Sequence, residues 1–126
     1  SVLAAIQSIQ HKQIYLLVGG LDKNSDFSVF GDLQKLNGLR LYPFGRAAEK
    51  IANQVSAVTG NRPNQYATME EAFYAALRDA KRNTQYLFDQ AGITDSVILL
   101  SPACASQDAY QDYKARGEHF RSLSLL

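Results

Sequence analysis

The chain has 126 residues, 46% of them hydrophobic, with 13 Lys and Arg against 12 Asp and Glu. That is one domain's length with enough apolar matter for a core, and a net charge of +1 gives no drive toward a phosphate backbone, so no nucleic-acid partner is expected. No apolar run approaches the roughly 20 residues of a membrane helix, and the one cysteine, Cys104, rules out an internal disulfide framework and a cysteine-type zinc site and fits a cytoplasmic location.

The chain opens on Ser1 and reads at once as a helix, with Val2, Ile6 and Ile9 at helical spacing. An independent domain usually has some lead-in, so a piece of something longer is expected. Gln13-Ile-Tyr-Leu-Leu-Val is a short apolar run ended by Gly19 and Gly20, which predicts a buried strand. A polar loop then leads into a helix over Ser28 to Leu36, stopped by Asn37-Gly38. Leu39 to Gly45 is a second strand that ends in breakers. Arg46 to Val58 is a helix with Ala47, Ala48, Ile51, Val55 and Val58 on one face, closed by Gly60.

Gln65-Tyr66-Ala67 reads as a short edge strand. Thr68 and Glu71 form a capping box, worth about 1 kcal/mol, for a helix that buries Met69, Phe73, Ala76, Leu77 and Ala80. Residues 81 to 95 are left open between helix and loop. Ser96 to Ser101 is an apolar strand broken by Pro102, and Ser106 opens a last helix with Tyr110, Tyr113, Gly117 and Phe120 on its apolar face. Strands alternating with helices predict a Rossmann-like three-layer α/β domain, with a mostly parallel sheet and helices on both faces.

In open parallel sheets ligands bind beyond the carboxyl ends of the strands. Two loops leave the most apolar strands there, Gly19 to Phe27 and Ser101 to Ser106. Their residue types suit a small anion. Gly19 and Gly20 let backbone approach a ligand, Asp22 lies beside them, Lys23 carries a positive charge, and Ser106 offers a hydroxyl at a helix N-terminus. A carboxylate fits better than a triphosphate, because no G-x-x-x-x-G-K-[ST] loop is present. Each feature alone has a plainer reading: Gly-Gly as a turn, Lys23 as a solvated lysine, Ser106 as an N-cap, Cys104 as a small buried thiol without an assignable base. Composition and spacing stop at an α/β domain with a small-anion site. They name no reaction, no catalytic residue and no metal ligand.

Read together, the two loops carry more. Leu16-Leu-Val-Gly-Gly-Leu-Asp-Lys-Asn-Ser-Asp-Phe27 resembles the Gly-Gly-x-x-Lys-x-x-Asp-Phe segment of the UDP-N-acetylmuramoylalanine–D-glutamate ligases, within the Mur ligase family. Leu99-Leu-Ser-Pro-Ala-Cys-Ala-Ser106, followed by Asp108, Tyr113 and Arg116-Gly117-x-x-Phe120, resembles their C-terminal signature. The resemblance covers essentially the whole chain. It implies a three-domain enzyme in which ATP phosphorylates the alanine carboxylate of UDP-N-acetylmuramoyl-L-alanine, and the amine of D-glutamate then attacks the acyl phosphate.

On this resemblance, residues 1–126 are the single C-terminal domain, with the N-terminal and central ATP-binding domains lying outside the chain. Lys23, Ser106 and Tyr113 fall on the family's D-glutamate-binding positions, the last through its backbone and often a Phe elsewhere. Gly19, Gly20 and Asp22 support the loop. ATP and magnesium belong mainly to the central domain, and the chain alone is expected to be inactive. Three departures stand out. The family's Asn-Asp-Ser-Lys-Ala-Thr-Asn stretch is missing before Ser1, Lys114 stands where Glu is common, and residues 83–93 look longer than usual. The alternatives are a related amide ligase for another amino acid, against which the Ser-Pro-Ala-Cys-Ala-Ser string argues, and a stand-alone small-anion-binding module on the same fold.

Overall fold

The computed structural model describes residues 12–19, 26–91 and 95–101. The order is β1 (Lys12–Gly19), α1 (Ser28–Asn37), β2 (Arg40–Phe44), α2 (Ala48–Thr59), α3 (Met69–Ala91) and β3 (Asp95–Ser101). The three strands form one parallel sheet in the order β2-β1-β3. Tyr15 to Gly19 pair with Arg40 to Phe44, and Lys12 to Val18 pair with Asp95 to Ser101. This is the α/β, mostly parallel architecture that the alternation of elements predicts.

Strand alternation sorts β1 into two cores. Ile14, Leu16 and Val18 face α1 and α2, where Phe30, Leu33, Ile51 and Val55 are buried. Tyr15 and Leu17 face α3, where Met69, Ala72, Phe73, Ala76 and Ala80 are buried. A central strand buried on both faces must be apolar on both faces, which is why β1 reads as a continuous apolar run rather than an alternating one. Val97 and Leu99 of β3 join the first core, and Ile98 and Leu100 join the second.

The helix ends follow local chemistry. Gly38 and Gly60 take left-handed φ values of 65° and 77°, and their N–H groups return to Gln34 and Ser56 carbonyls. Only glycine adopts that conformation without cost. At α3 the N–H of Glu71 donates to Thr68 Oγ1 at 3.1 Å, and Glu71 Oε2 accepts from the Ala67 N–H at 3.0 Å. The reciprocal bond therefore reaches one residue earlier than a standard capping box. Residues 81–91, open at the sequence level, continue α3 without a break.

Pro43 lies inside β2, where a missing N–H could break the ladder. Its carbonyl accepts from the Tyr66 N–H at 2.9 Å, on the side away from β1, and Gly45 N–H donates to the Tyr66 carbonyl at 3.1 Å. The ring nitrogen thus lies on the outer edge, where no bond to β1 is lost. Tyr66 forms a single parallel bridge to Phe44, so the expected edge strand at 65–67 is one residue long. From there the chain crosses by α3, on the opposite face of the sheet from α1 and α2, and adds β3 on the far side of β1.

Candidate functional site

That crossing creates a switch point. The chain leaves β1 toward β2 on one face and reaches β3 through a helix on the other. In doubly wound sheets the crevice beyond the carboxyl ends of two strands that diverge in this way is where ligands bind. Here those strands are β1 and β3, ending at Gly19 and Ser101, with Val18 paired to Ser101. The two loops singled out in the sequence leave from these two ends.

The described parts of the rim are firmly held. Gly19 is buried beneath Phe44: a Cβ on Gly19 would lie 2.4 to 2.6 Å from three atoms of the Phe44 ring. Among the described residues the positive-φ glycines are Gly38, Gly45 and Gly60, and Gly19 is not one of them. Space for an aromatic ring, and not a special backbone angle, explains the glycine at the end of β1. The contact its missing side chain permits is with Phe44.

The chain reaches α1 through a second anchor. The N–H of Phe27 donates to Gln54 Oε1 on α2, and the buried Phe27 ring lies 5.7 Å from Lys50 Nζ. Asp26 Oδ1 accepts from the Ser28 N–H at 2.9 Å, which lowers the Asp26 pKa below its ordinary value. A carboxylate in this position satisfies a free N–H of the first turn in place of the missing side-chain cap at Phe27. Gly19 under Phe44 and Phe27 against Gln54 are thus both fixed by their contacts.

Ser101 is the other notable group at this rim. It is 1% exposed, and its Oγ has no hydrogen-bond partner. A buried hydroxyl left unpaired carries a penalty of about 1–3 kcal/mol. Gly20, Asp22, Lys23, Ser106 and Tyr113, and likewise Cys104, lie outside the described residues. Among the described residues no three His, Cys, Asp or Glu side chains gather as a metal site, and no helix is long and apolar enough to cross a membrane.

A separate groove of about 580 Å³ lies beside β2, lined by Gln34, Arg40, Tyr42, Arg62, Tyr66 and Asp79 among others. Its walls include the C-terminal turns of α1 and α2, which place it at the amino ends of the strands, away from the rim. Tyr42 donates to Asp79 Oδ2 at 2.6 Å within it. Burial first, and the Asp79 carboxylate second, push the Tyr42 hydroxyl well above the usual tyrosine range. Sequence reading missed this pair because its members are 37 residues apart and meet only through packing.

Comparison with known proteins then bears on the rim. The chain is 37% identical over 124 residues to a UDP-N-acetylmuramoylalanine–D-glutamate ligase of Natranaerobius thermophilus. It is 32% identical over 126 residues to the enzyme of that name in Protochlamydia amoebophila, and 33% identical over 127 residues to that of Pasteurella multocida. These alignments take in 96%, 100% and 100% of this chain. The chain is related to the UDP-N-acetylmuramoylalanine–D-glutamate ligases. It spans about a quarter of the length of these ligases, between 23% and 25%. No family model matches the chain. The alignment to the Protochlamydia amoebophila ligase takes in the whole chain, so both rim loops fall within it.

Proposed function

We propose that this chain is the C-terminal, D-glutamate-binding domain of an ATP-dependent ligase that adds D-glutamate to UDP-N-acetylmuramoyl-L-alanine, a step in cell-wall peptidoglycan precursor synthesis in the bacterial cytoplasm. The observation that carries the reading is the pairing of β1 and β3, whose carboxyl ends lie side by side at a switch point and are the strands that the two loops follow in the sequence. The relation to ligases of that name over nearly the whole chain supports it.

The chemistry assigned to this chain is binding and orientation. D-Glutamate brings two carboxylates and one amine. Lys23 would neutralise a carboxylate as a point charge, and the Ser106 hydroxyl would donate to a carboxylate at a helix N-terminus. The backbone at Tyr113 would hold the rest of the amino acid. Fixing both carboxylates leaves the amine as the free end, directed at the acyl phosphate, and such positioning removes much of the entropic barrier to attack. ATP, magnesium and the UDP-linked substrate would be held by the other domains, and ATP would supply the phosphoryl group that activates the alanine carboxylate.

The test is a transfer assay on the complete gene product. Labelled D-glutamate should enter UDP-N-acetylmuramoyl-L-alanine only with ATP and magnesium, and labelled L-glutamate should not. Incorporation of another amino acid in preference to D-glutamate would move the chain to a different amide ligase. The 126-residue chain alone should show no transfer.

A further inference from the structure

Among the described residues three buried polar atoms have no hydrogen-bond partner: Tyr15 Oη, Gln34 Oε1 and Ser101 Oγ. Their places differ. Tyr15 lies within β1 and faces the core under α3. Gln34 is near the end of α1, beside the groove at the amino ends of the strands. Only Ser101 stands at the carboxyl rim, as the last residue of β3 and opposite Val18.

The pattern of β3 makes the serine unexpected. Val97 and Leu99 pack on the core beneath α1 and α2, and Ser101 is the next residue on that face. Alanine or valine would continue the face with nothing unpaired. A polar group kept dry and unpartnered at a rim where a ligand is expected calls for a partner that arrives with the ligand.

We infer that Ser101 is a binding residue for the amino-acid substrate: its hydroxyl is unpaired in the ligand-free chain and donates to a carboxylate oxygen of D-glutamate when that ligand is seated. The inference rests on the reading of the rim as the D-glutamate site. A carboxylate is the acceptor such a hydroxyl serves best, because a hydrogen bond to a charged partner in a shielded site is stronger than one to a neutral group. The hydroxyl is shielded from water, so water does not serve as its partner.

The experiment uses the complete gene product with Ser101→Ala and Ser101→Thr. Ser101→Ala removes a group that has no partner before ligand binds, so without ligand it should melt at or above the wild-type temperature. Its KM for D-glutamate should rise about tenfold, as expected for one charge-assisted bond, while its KM for ATP stays within about twofold. The rise in melting temperature on adding D-glutamate should shrink in Ser101→Ala and return in Ser101→Thr, which keeps the hydroxyl. A lower melting temperature or loss of folding in Ser101→Ala, with or without an altered KM, would show that the hydroxyl supports the ligand-free fold, and would overturn the inference. So would an unchanged D-glutamate KM. If the wild-type protein itself neither binds nor transfers D-glutamate, the ligase reading fails and the inference fails with it; a wild-type response with an indifferent Ser101→Ala overturns the inference alone.

Discussion

Substituting Gly19 by alanine separates a packing role from a ligand-approach role at the same residue. The added Cβ would lie 2.4 Å from Phe44 Cε2, 2.5 Å from Cζ and 2.6 Å from Cδ2. All three distances fall well inside van der Waals contact, and Phe44 is 2% exposed, so its ring has little room to turn away. Overpacking of this kind costs about 1–3 kcal/mol. For a domain of this length that lowers the melting temperature by about 4–12 °C. Thermal melts followed by circular dichroism, with urea unfolding beside them, would measure it. Phe44→Leu alone should cost about 1–1.5 kcal/mol by leaving space. In the double variant that space accepts the new methyl, so the combined loss should fall short of the sum by about 1 kcal/mol or more. Single losses that add within about 0.5 kcal/mol, or a Gly19→Ala protein as stable as wild type, would refute the packing account.

Three further outcomes are expected. Thr68→Ala should destabilise the chain by about 1 kcal/mol, since the Glu71 N–H loses its acceptor, and urea unfolding would read this as a lower midpoint with an unchanged slope. Tyr42→Phe takes the donor from a partly exposed Asp79 and should cost about 1–2 kcal/mol at neutral pH. Tyr42 also sets an alkaline limit: its hydroxyl keeps its proton in the fold at a pH where the unfolded tyrosine has lost it, so the wild type should lose stability as pH rises above about 10. The Phe variant should lack that share of the alkaline slope, and equal slopes in the two proteins would exclude Tyr42 as its source. Finally, an amide shift titration of the chain should show weak binding of D-glutamate centred on Lys23 and Ser106. Loss of one charge-assisted contact, about 1.5–3 kcal/mol, removes much of the roughly 4 kcal/mol that holds a millimolar ligand. Equal, scattered shifts with D- and L-glutamate would exclude stereospecific recognition by the chain.

The strands and helices were legible where a single local rule decides them. β1 is a two-sided apolar run closed by Gly19, α1 and α2 stop at left-handed glycines, and α3 starts at Thr68. The second half of α3 was not legible, because Lys81 to Gln85 is a polar run that suits an exposed helix or a loop equally well. Strand order was not legible either, since placing β3 beside β1 depends on which face α3 covers, a non-local packing outcome. Gly19 shows the same limit at one residue. Its sequence setting fits a ligand loop, while the ring that requires it comes from Phe44, 25 positions away. At the candidate site the residue types pointed to a small anion, and only the resemblance of two loops to one ligase family turned that into D-glutamate. Ser101 looked like ordinary strand material, and its burial without a partner emerges only from the folded chain.

The central claim is that the carboxyl rim of β1 and β3 holds D-glutamate through Lys23. Steady-state kinetics of the complete gene product, wild type against Lys23→Ala, test it most directly. The account predicts a KM for D-glutamate raised at least about tenfold, the worth of one charge-assisted contact, with the KM for ATP little changed. An unchanged KM for D-glutamate would remove Lys23 from the site and contradict the account.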